Sequence, residues 1–565
     1  MEGSQKIEER QDGCRNAMQK AILILLFAAW LLPGLFGREP WKADEAYSFG
    51  LVFHIAKTGD LIVPTLGGEP FMEKPPLLYA TAAGFMRLLA PPFQPYEAAR
   101  LSIVLFHLIT FVCLGCAGRL LYGPGKGWIA PLLLIASPGL LHIGHMMVTD
   151  IALLAGMAMA YLGLAMALRR PLAGGLLLGA GTGIAFLSKG LIGPGVLGLT
   201  CLLLPVVSGV WRTRGYWASL AVAVISALPW VLIWPALLYE RSPDLFAQWF
   251  WVQNLGRFTG QREATDHVTY GFYFVQLLWF ALPGFPLMLW TLWKEKIRGW
   301  TSAEVSLPLA GFLVLIVVLT LSGQKREIYG LPLLLPIALL GTRHLESLPD
   351  LVCRGWRLLI LIAFSPLAAF VWLGWVAQLT HVPGIFWQFF HSKIPDYQLA
   401  VHGGMLAAAL IGTGFWIFVL LGARSARPFP LLINWTAGLA LIYLLVMTLW
   451  LPTINWDMSY RKTFVDLRQT LGGYSGPVGS RGLGEPQRAL LEYYAGLQTR
   501  RAEVDAANYA KCDVFLMQGD YRTGNLMGPP PEGSWRLFWE GRRSGKESYR
   551  LYRKTETNIQ KPLKP

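Results

Sequence analysis

Residues 40–48, PWKADEAYS, and 70–79, PFMEKPPLLY, lie in one loop between two apolar runs, and reading them decides what kind of molecule this is. The loop, about residues 38–97, follows a first greasy span and precedes a second, so it sits at a bilayer face. Solubility alone does not require charge set beside Pro-Pro and aromatic residues. The carboxylates Asp44 and Glu45, the Glu73-Lys74 pair and the rigid Pro75-Pro76 suit the handling of an anionic, lipid-linked substrate.

Composition sets the class. The chain has 565 residues, 54% hydrophobic and only 15% charged, which excludes a soluble protein. Apolar runs recur at lengths that cross a hydrocarbon core of about 30 Å, as in a polytopic α-helical membrane protein. A formal charge of +15 would suggest nucleic acid in a soluble chain. Here the positive-inside bias and attraction to anionic lipid account for it, and no nucleic-acid partner is implied. The six cysteines are scattered. Cys113 and Cys116 have CxxC spacing, but at helical pitch inside an apolar span they read as packing residues. The first run, 21–36, has a long leader of mixed charge and no small-x-small cleavage site, which predicts a retained first helix.

Runs bounded by Gly, Pro and charge place spans near 21–37, 98–118, 127–141, 150–168, 172–187, 191–209, 217–239, 271–293, 305–321, 328–342, 357–379, 401–422 and 430–450. That is about thirteen transmembrane helices. With the N-terminus in the cytoplasm, the cytoplasmic turns carry Arg119/Lys126, Arg169/Arg170, Arg212/Arg214, Lys294/Lys296/Arg298, Arg343/Arg354/Arg357 and Arg424/Arg427. All are basic, as the positive-inside rule requires. The same count puts the first loop outside, together with 142–150, 188–190, 240–270 and 322–329. The unusual polar residues therefore converge on one face.

On that face, Asp44 and Glu45 start an amphipathic stretch, 46–58, that stops at Gly59. Capping a helix accounts for the two carboxylates in part. It also fixes their geometry, as a group that deprotonates or orients an acceptor in a glycosyl transfer requires. Lys74 beside stiffened backbone suits a phosphate as a point charge. Asp150 enters a span without a local basic partner, an expensive placement that predicts a polar cavity. Lys189 stands at a break between apolar runs. Lys325 and Arg326 are basic on the outer face against the usual bias, and Arg257, Arg262 and His267 add to them. Together they point to a lipid-phosphate site.

From about Thr453 the character changes: apolar runs shorten, and Gly and charge increase. Strand-like pieces at 513–518, 535–539 and 548–552, with a helix-like stretch at 486–497, predict a small soluble α/β domain. The division is thus 1–452, transmembrane, and 453–565, soluble and outside.

The succession DEAYS, then TGDLIVPTLGGEPFMEKPPLLY, then SKG, then SGQKREIYGLPLLLP resembles the bacterial lipid A aminoarabinose transferases and the wider protein O-mannosyltransferase-like group of membrane glycosyltransferases. The resemblance covers roughly residues 20–345 by motif. It implies the GT-C fold, a bacterial inner membrane and a periplasmic active face. It implies transfer of a sugar from a polyprenyl-phosphate carrier to an envelope acceptor, a glycolipid such as lipid A or a glycan; because phosphate is already a good leaving group, a single displacement with inversion is expected. By the same likeness Asp44 is the catalytic carboxylate with Glu45 beside it. Lys74 and Lys189 hold the polyprenyl phosphate. Tyr329 falls at the carrier groove, and Glu73 with His267 resembles a pair that holds a divalent ion, zinc; Asp150, Arg257 and Lys325 are further substrate contacts from the charge pattern itself. One departure stands out: the aminoarabinose enzymes have DE-x-R-Y, whereas this chain has Tyr47 where they have arginine. Two other readings remain. One is a transporter or flippase of the lipid-linked sugar, although no half-to-half repeat is visible. The other is an O-antigen ligase-like or protein O-glycosyltransferase enzyme.

Overall fold

The computed structural model describes residues 21–41, 43–256, 271–392, 394, 397–422, 427–505, 511–520, 535–543 and 547–555. Every apolar segment read from the sequence is helical, but the helices differ in length. Among the described residues, eight are long and apolar enough to cross a membrane: Pro95–Tyr122, Thr149–Ala167, Pro171–Lys189, Arg214–Arg241, Ala303–Leu321, Asp350–Thr380, Gly403–Leu421 and Pro428–Met458. Phe272–Phe280 and Gly284–Gly299 meet at 103° and make a ninth if taken as one broken span. Ala21–Leu31 and Ile192–Val207 are shorter apolar helices. The run at 127–141 is split into Ile129–Ile135 and Pro138–Ile143, because Pro138 offers no N–H to continue the first helix. The run at 328–342 is a tight turn of 3₁₀ helix, Glu327–Leu333, leading into Leu334–Arg343. The last span continues to Met458, past the boundary read at 453.

The centre of the bundle is built on small residues. In lipid there is no hydrophobic drive between helices, so close backbone approach and packing hold them together. A Cβ on Gly156 would stand 2.7 Å from the Ala185 nitrogen, and one on Gly163 would stand 2.5 Å from that of Leu178. Thr149–Ala167 and Pro171–Lys189 therefore run antiparallel in near contact. That pairing brings Asp150, at the start of one, beside Lys189, at the end of the other.

Polar contacts sort the connections onto two faces. On one, Lys126 Nζ donates to the Arg343 carbonyl at 2.7 Å and Tyr122 to the Glu304 carbonyl at 3.0 Å. There Glu295 also pairs with Arg343 and His344. These are turns that the charge pattern assigned to the cytoplasm. The opposite face carries the first loop, Lys189, Tyr329 and the C-terminal domain.

The first loop is largely structured. Helix Asp44–Thr58 ends at Gly59, whose φ of 79° is the left-handed closure that the sequence anticipated. A two-stranded hairpin, Thr65–Leu66 with Glu69–Pro70, and helix Leu77–Leu89 follow. Pro95–Tyr122 opens with a capping box between Gln94 and Glu97 and a proline in its first turn.

The C-terminal domain is a five-stranded sheet flanked by helices Arg461–Leu471 and Glu485–Ala495. Its spatial order is Thr499–Arg501, Val478–Arg481, Val514–Asp520, Glu547–Lys554, Trp535–Arg543, the first three parallel and the rest antiparallel. The two short parallel strands escaped the sequence reading because three or four residues give too little alternation. The domain sits on the first loop. A Cβ on Gly50 would come within 2.5 Å of that of Ala489, and Phe49 and Phe53 pack against the Tyr493 ring at 4.8 and 5.3 Å. Glu69 accepts from both Arg488 and Arg501 at 2.9 Å.

Candidate active site

A cavity of about 340 Å³ opens on the face that carries the first loop. Its polar end is formed by Glu73, Lys74, Lys189, Gln253, Asn254 and Tyr329. Ser322 and Gln324 also line it, and the rest is apolar, with Leu153, Val196 and Leu199 on one side and Leu315, Val318 and Leu319 on the other. Leu199 is 49% exposed on the outside of the bundle, so the apolar end reaches the lipid-facing surface between Ile192–Val207 and Ala303–Leu321. A head region with two lysines, joined to a greasy lateral groove, matches an amphiphile with an anionic head.

Lys74 Nζ donates to the Tyr47 hydroxyl at 2.5 Å. Burial opposes the charge on Lys74. Tyr79, Asp150, Asp44 and Glu73 outweigh it and hold the ammonium above its ordinary pKa, so Lys74 is protonated at neutral pH. Burial, then Asp44 and Glu73, push the Tyr47 phenol well above its usual range, so it is a neutral partner. Lys189 forms an ion pair with Asp150 and lies 4.1 Å from the centre of the Tyr329 ring. Gly190, at φ 69°, ends the Lys189 helix, and the next N–H, of Leu191, donates to Asn254 at 3.2 Å.

Asp44 lies in the first turn of its helix and accepts from Arg326 Nη2 at 2.8 Å, across 282 residues. Where the resemblance leads one to expect arginine at 47, Tyr47 stands instead, and the guanidinium beside Asp44 comes from Arg326. Glu45 is elsewhere. It is 3% exposed and accepts from Arg38 and Arg100 at 2.8 Å each, and from the Met147 N–H at 3.4 Å. Arg100 also donates to the carbonyls of Leu35 and Arg38, both at 2.9 Å. A carboxylate so enclosed ties the loop to the bundle. This corrects the expectation that Glu45 works beside Asp44.

Two further expectations change. Asp150 has a basic partner after all, Lys189, and at 2% exposure it stands behind the cavity wall. Lys325 belongs to the loop at the mouth and is not part of the wall. Arg257 and His267 lie outside the described residues. Glu73 is in the wall, but among the described residues no three His, Cys, Asp or Glu side chains gather as a metal site. His267, the other half of the expected pair, is outside the described residues, so no step below passes through an ion. Tyr47, Gln253 and Asn254 were missed by sequence reasoning. Neutral side chains near lipid give no charge signal.

The chain is similar to several known proteins. A sequence family described as dolichyl-phosphate-mannose-protein mannosyltransferase matches residues 73–234. The undecaprenyl phosphate-alpha-4-amino-4-deoxy-L-arabinose arabinosyl transferase of Edwardsiella ictaluri is 28% identical over 335 residues, 58% of this chain. The match spans 59% of that protein's length. The protein of the same name from Yersinia enterocolitica is 24% identical over 463 residues, 79% of this chain and 78% of that one. The crystal structure of ArnT from Cupriavidus metallidurans bound to undecaprenyl phosphate superposes with a TM-score of 0.70 at 17% identity, covering 95% of this chain and 98% of that one. The apo structure of the same protein gives 0.70 at 16%. The fold is shared: a polytopic helical GT-C architecture with a small C-terminal sheet domain.

Proposed function

We propose that this chain is a glycosyltransferase that moves a sugar from a polyprenyl-phosphate carrier to an envelope acceptor, a glycolipid such as lipid A, at the periplasmic face of a bacterial inner membrane. One observation carries the reading: a cavity whose lysine-bearing end continues into an apolar groove open to lipid. The relatives are named as transferases of a sugar held on undecaprenyl phosphate, and a structural neighbour binds that carrier. A prenyl chain fits the groove between Ile192–Val207 and Ala303–Leu321, and its phosphate meets Lys74 and Lys189.

In the reaction, an acceptor oxygen attacks the anomeric carbon of the sugar. The bond from that carbon to the carrier's phosphate oxygen breaks, and its electron pair leaves with the polyprenyl phosphate. The acceptor's proton passes to Asp44. Phosphate is already a good leaving group, so activating the acceptor matters more than protonating the leaving oxygen. A single displacement inverts the sugar carbon. Lys74 and Lys189 offset the phosphate charge, Tyr47 fixes Lys74, and Glu45 with Arg38 and Arg100 holds the loop in register. A divalent ion at Glu73 and His267 belongs to this reading as an addition, where it would supply further phosphate neutralisation.

The test is mass spectrometry of envelope lipids from cells with and without the protein. A sugar added to a lipid or glycan only when the protein is present supports transfer. An unchanged envelope with altered sidedness of the lipid-linked sugar would favour a flippase.

A further inference from the structure

The pair between Asp44 and Arg326 is unusual for its place. Arg326 is 50% exposed and Asp44 is 18% exposed. Such a partly exposed pair adds little to stability, and a basic residue on the outer face runs against the charge bias of membrane proteins. Stability and topology therefore leave it unexplained. Among the described residues, Arg326 is the side-chain partner of Asp44, whose own helix start is capped by no side chain. Arg326 is itself anchored: its carbonyl accepts the Tyr329 N–H at 3.0 Å, and Tyr329 is in the cavity wall with Lys189 over its ring. The pair joins the helix of the first loop to the turn that forms the wall.

The geometry points to Arg326 as the residue that holds the Asp44 carboxylate in its working orientation relative to the cavity. It is a positioning residue that acts through Asp44, not a ligand of the donor phosphate. Without it the carboxylate is left to turn freely at the first position of its helix, while Lys74, Lys189 and the groove are untouched. This rests on the reading of Asp44 as the base.

The test uses the full-length protein in lipid nanodiscs, as wild type, Arg326→Ala and Arg326→Lys. Two quantities are read: affinity for polyprenyl phosphate, and turnover of a labelled polyprenyl-phosphate sugar. For Arg326→Ala, kcat falls about 10- to 100-fold, the usual cost of a misplaced catalytic group, while donor KM and polyprenyl-phosphate Kd stay within about twofold. Arg326→Lys retains part of the rate, and added methylguanidinium restores part of it to Arg326→Ala, because the vacated position is open to solvent. Unchanged kcat, weakened polyprenyl-phosphate binding at full kcat, or a loss that neither lysine nor methylguanidinium recovers would overturn the assignment. A wild-type protein that binds polyprenyl phosphate but transfers nothing would instead remove the proposed reaction. The positioning role would then fall with it, and that outcome is told apart from a loss confined to the Arg326 variants by the inactivity of the wild type.

Discussion

Lys74 and Lys189 reach the cavity wall with different partners, and the difference sets what their removal costs. Lys74 leaves behind a neutral phenol, so Lys74→Ala should act mainly on the ligand. A charge-assisted contact to phosphate contributes about 1.5–3 kcal/mol, so its polyprenyl-phosphate Kd should rise about tenfold or more, measured by binding in nanodiscs. Lys189→Ala also strips Asp150 of its partner, and breaking a buried pair is costly in itself. That variant should lose thermal stability as well as affinity. Lys189→Ala with Asp150→Asn should recover the melting temperature but not the affinity. Recovery of both would remove Lys189 from the phosphate site. The charged residues of this site were legible because charge beside lipid is expensive and needs a reason. Their pairings were not. Glu45 meets Arg100 across 55 residues and Asp44 meets Arg326 across 282, and no local pattern encodes which distant cation answers which carboxylate. A divalent ion at Glu73 would be exposed by chelation: if it takes part, EDTA lowers turnover and zinc restores it, and Glu73→Gln removes the effect.

The helix Asp44–Thr58 carries Asp44 at its start and the seat of the C-terminal domain at its middle. Gly50 leaves room for Ala489, and the neighbouring hairpin supplies Glu69 to Arg488 and Arg501. Gly50→Leu should push the domain off its seat, and Glu69→Lys should set three basic groups against one another. Both variants should show faster limited proteolysis after Met458 and reduced turnover, with polyprenyl-phosphate affinity kept, because the groove lies in other helices. Unchanged protease resistance in both would show that the docking is not held there. At this scale the sequence was informative about the helix and its glycine stop, which are local signals, and about the later strands, which are long enough to alternate. It was silent on the docking, because Gly50 and Ala489 are unremarkable residues until two surfaces meet.

Sidedness is the property of the whole molecule on which everything else depends. Among the described residues, the basic turns collect at one face and the cavity, first loop and C-terminal domain at the other, in agreement with the order that charge alone gave. A cysteine at Ser322, at the cavity mouth, should react with an impermeant reagent added outside intact inner-membrane spheroplasts. One at the exposed Ser347 should react only after lysis, with the native cysteines replaced in both. Labelling of Ser347 from outside would invert the topology. The number of full crossings was less legible than the sidedness, because apolar length does not distinguish a spanning helix from one broken at Pro138 or bent at 103° between residues 280 and 284. The central claim is that this outer face binds a polyprenyl-phosphate sugar and that Asp44 activates the acceptor against it. The most direct measurement is single-turnover transfer from the labelled donor by wild-type and Asp44→Asn protein, with donor binding followed in parallel. The account predicts equal donor binding and a rate lower by roughly 10² or more in the variant, with the sugar inverted in the wild-type product. Transfer by Asp44→Asn at the wild-type rate, or a product that keeps the sugar's configuration, would contradict it.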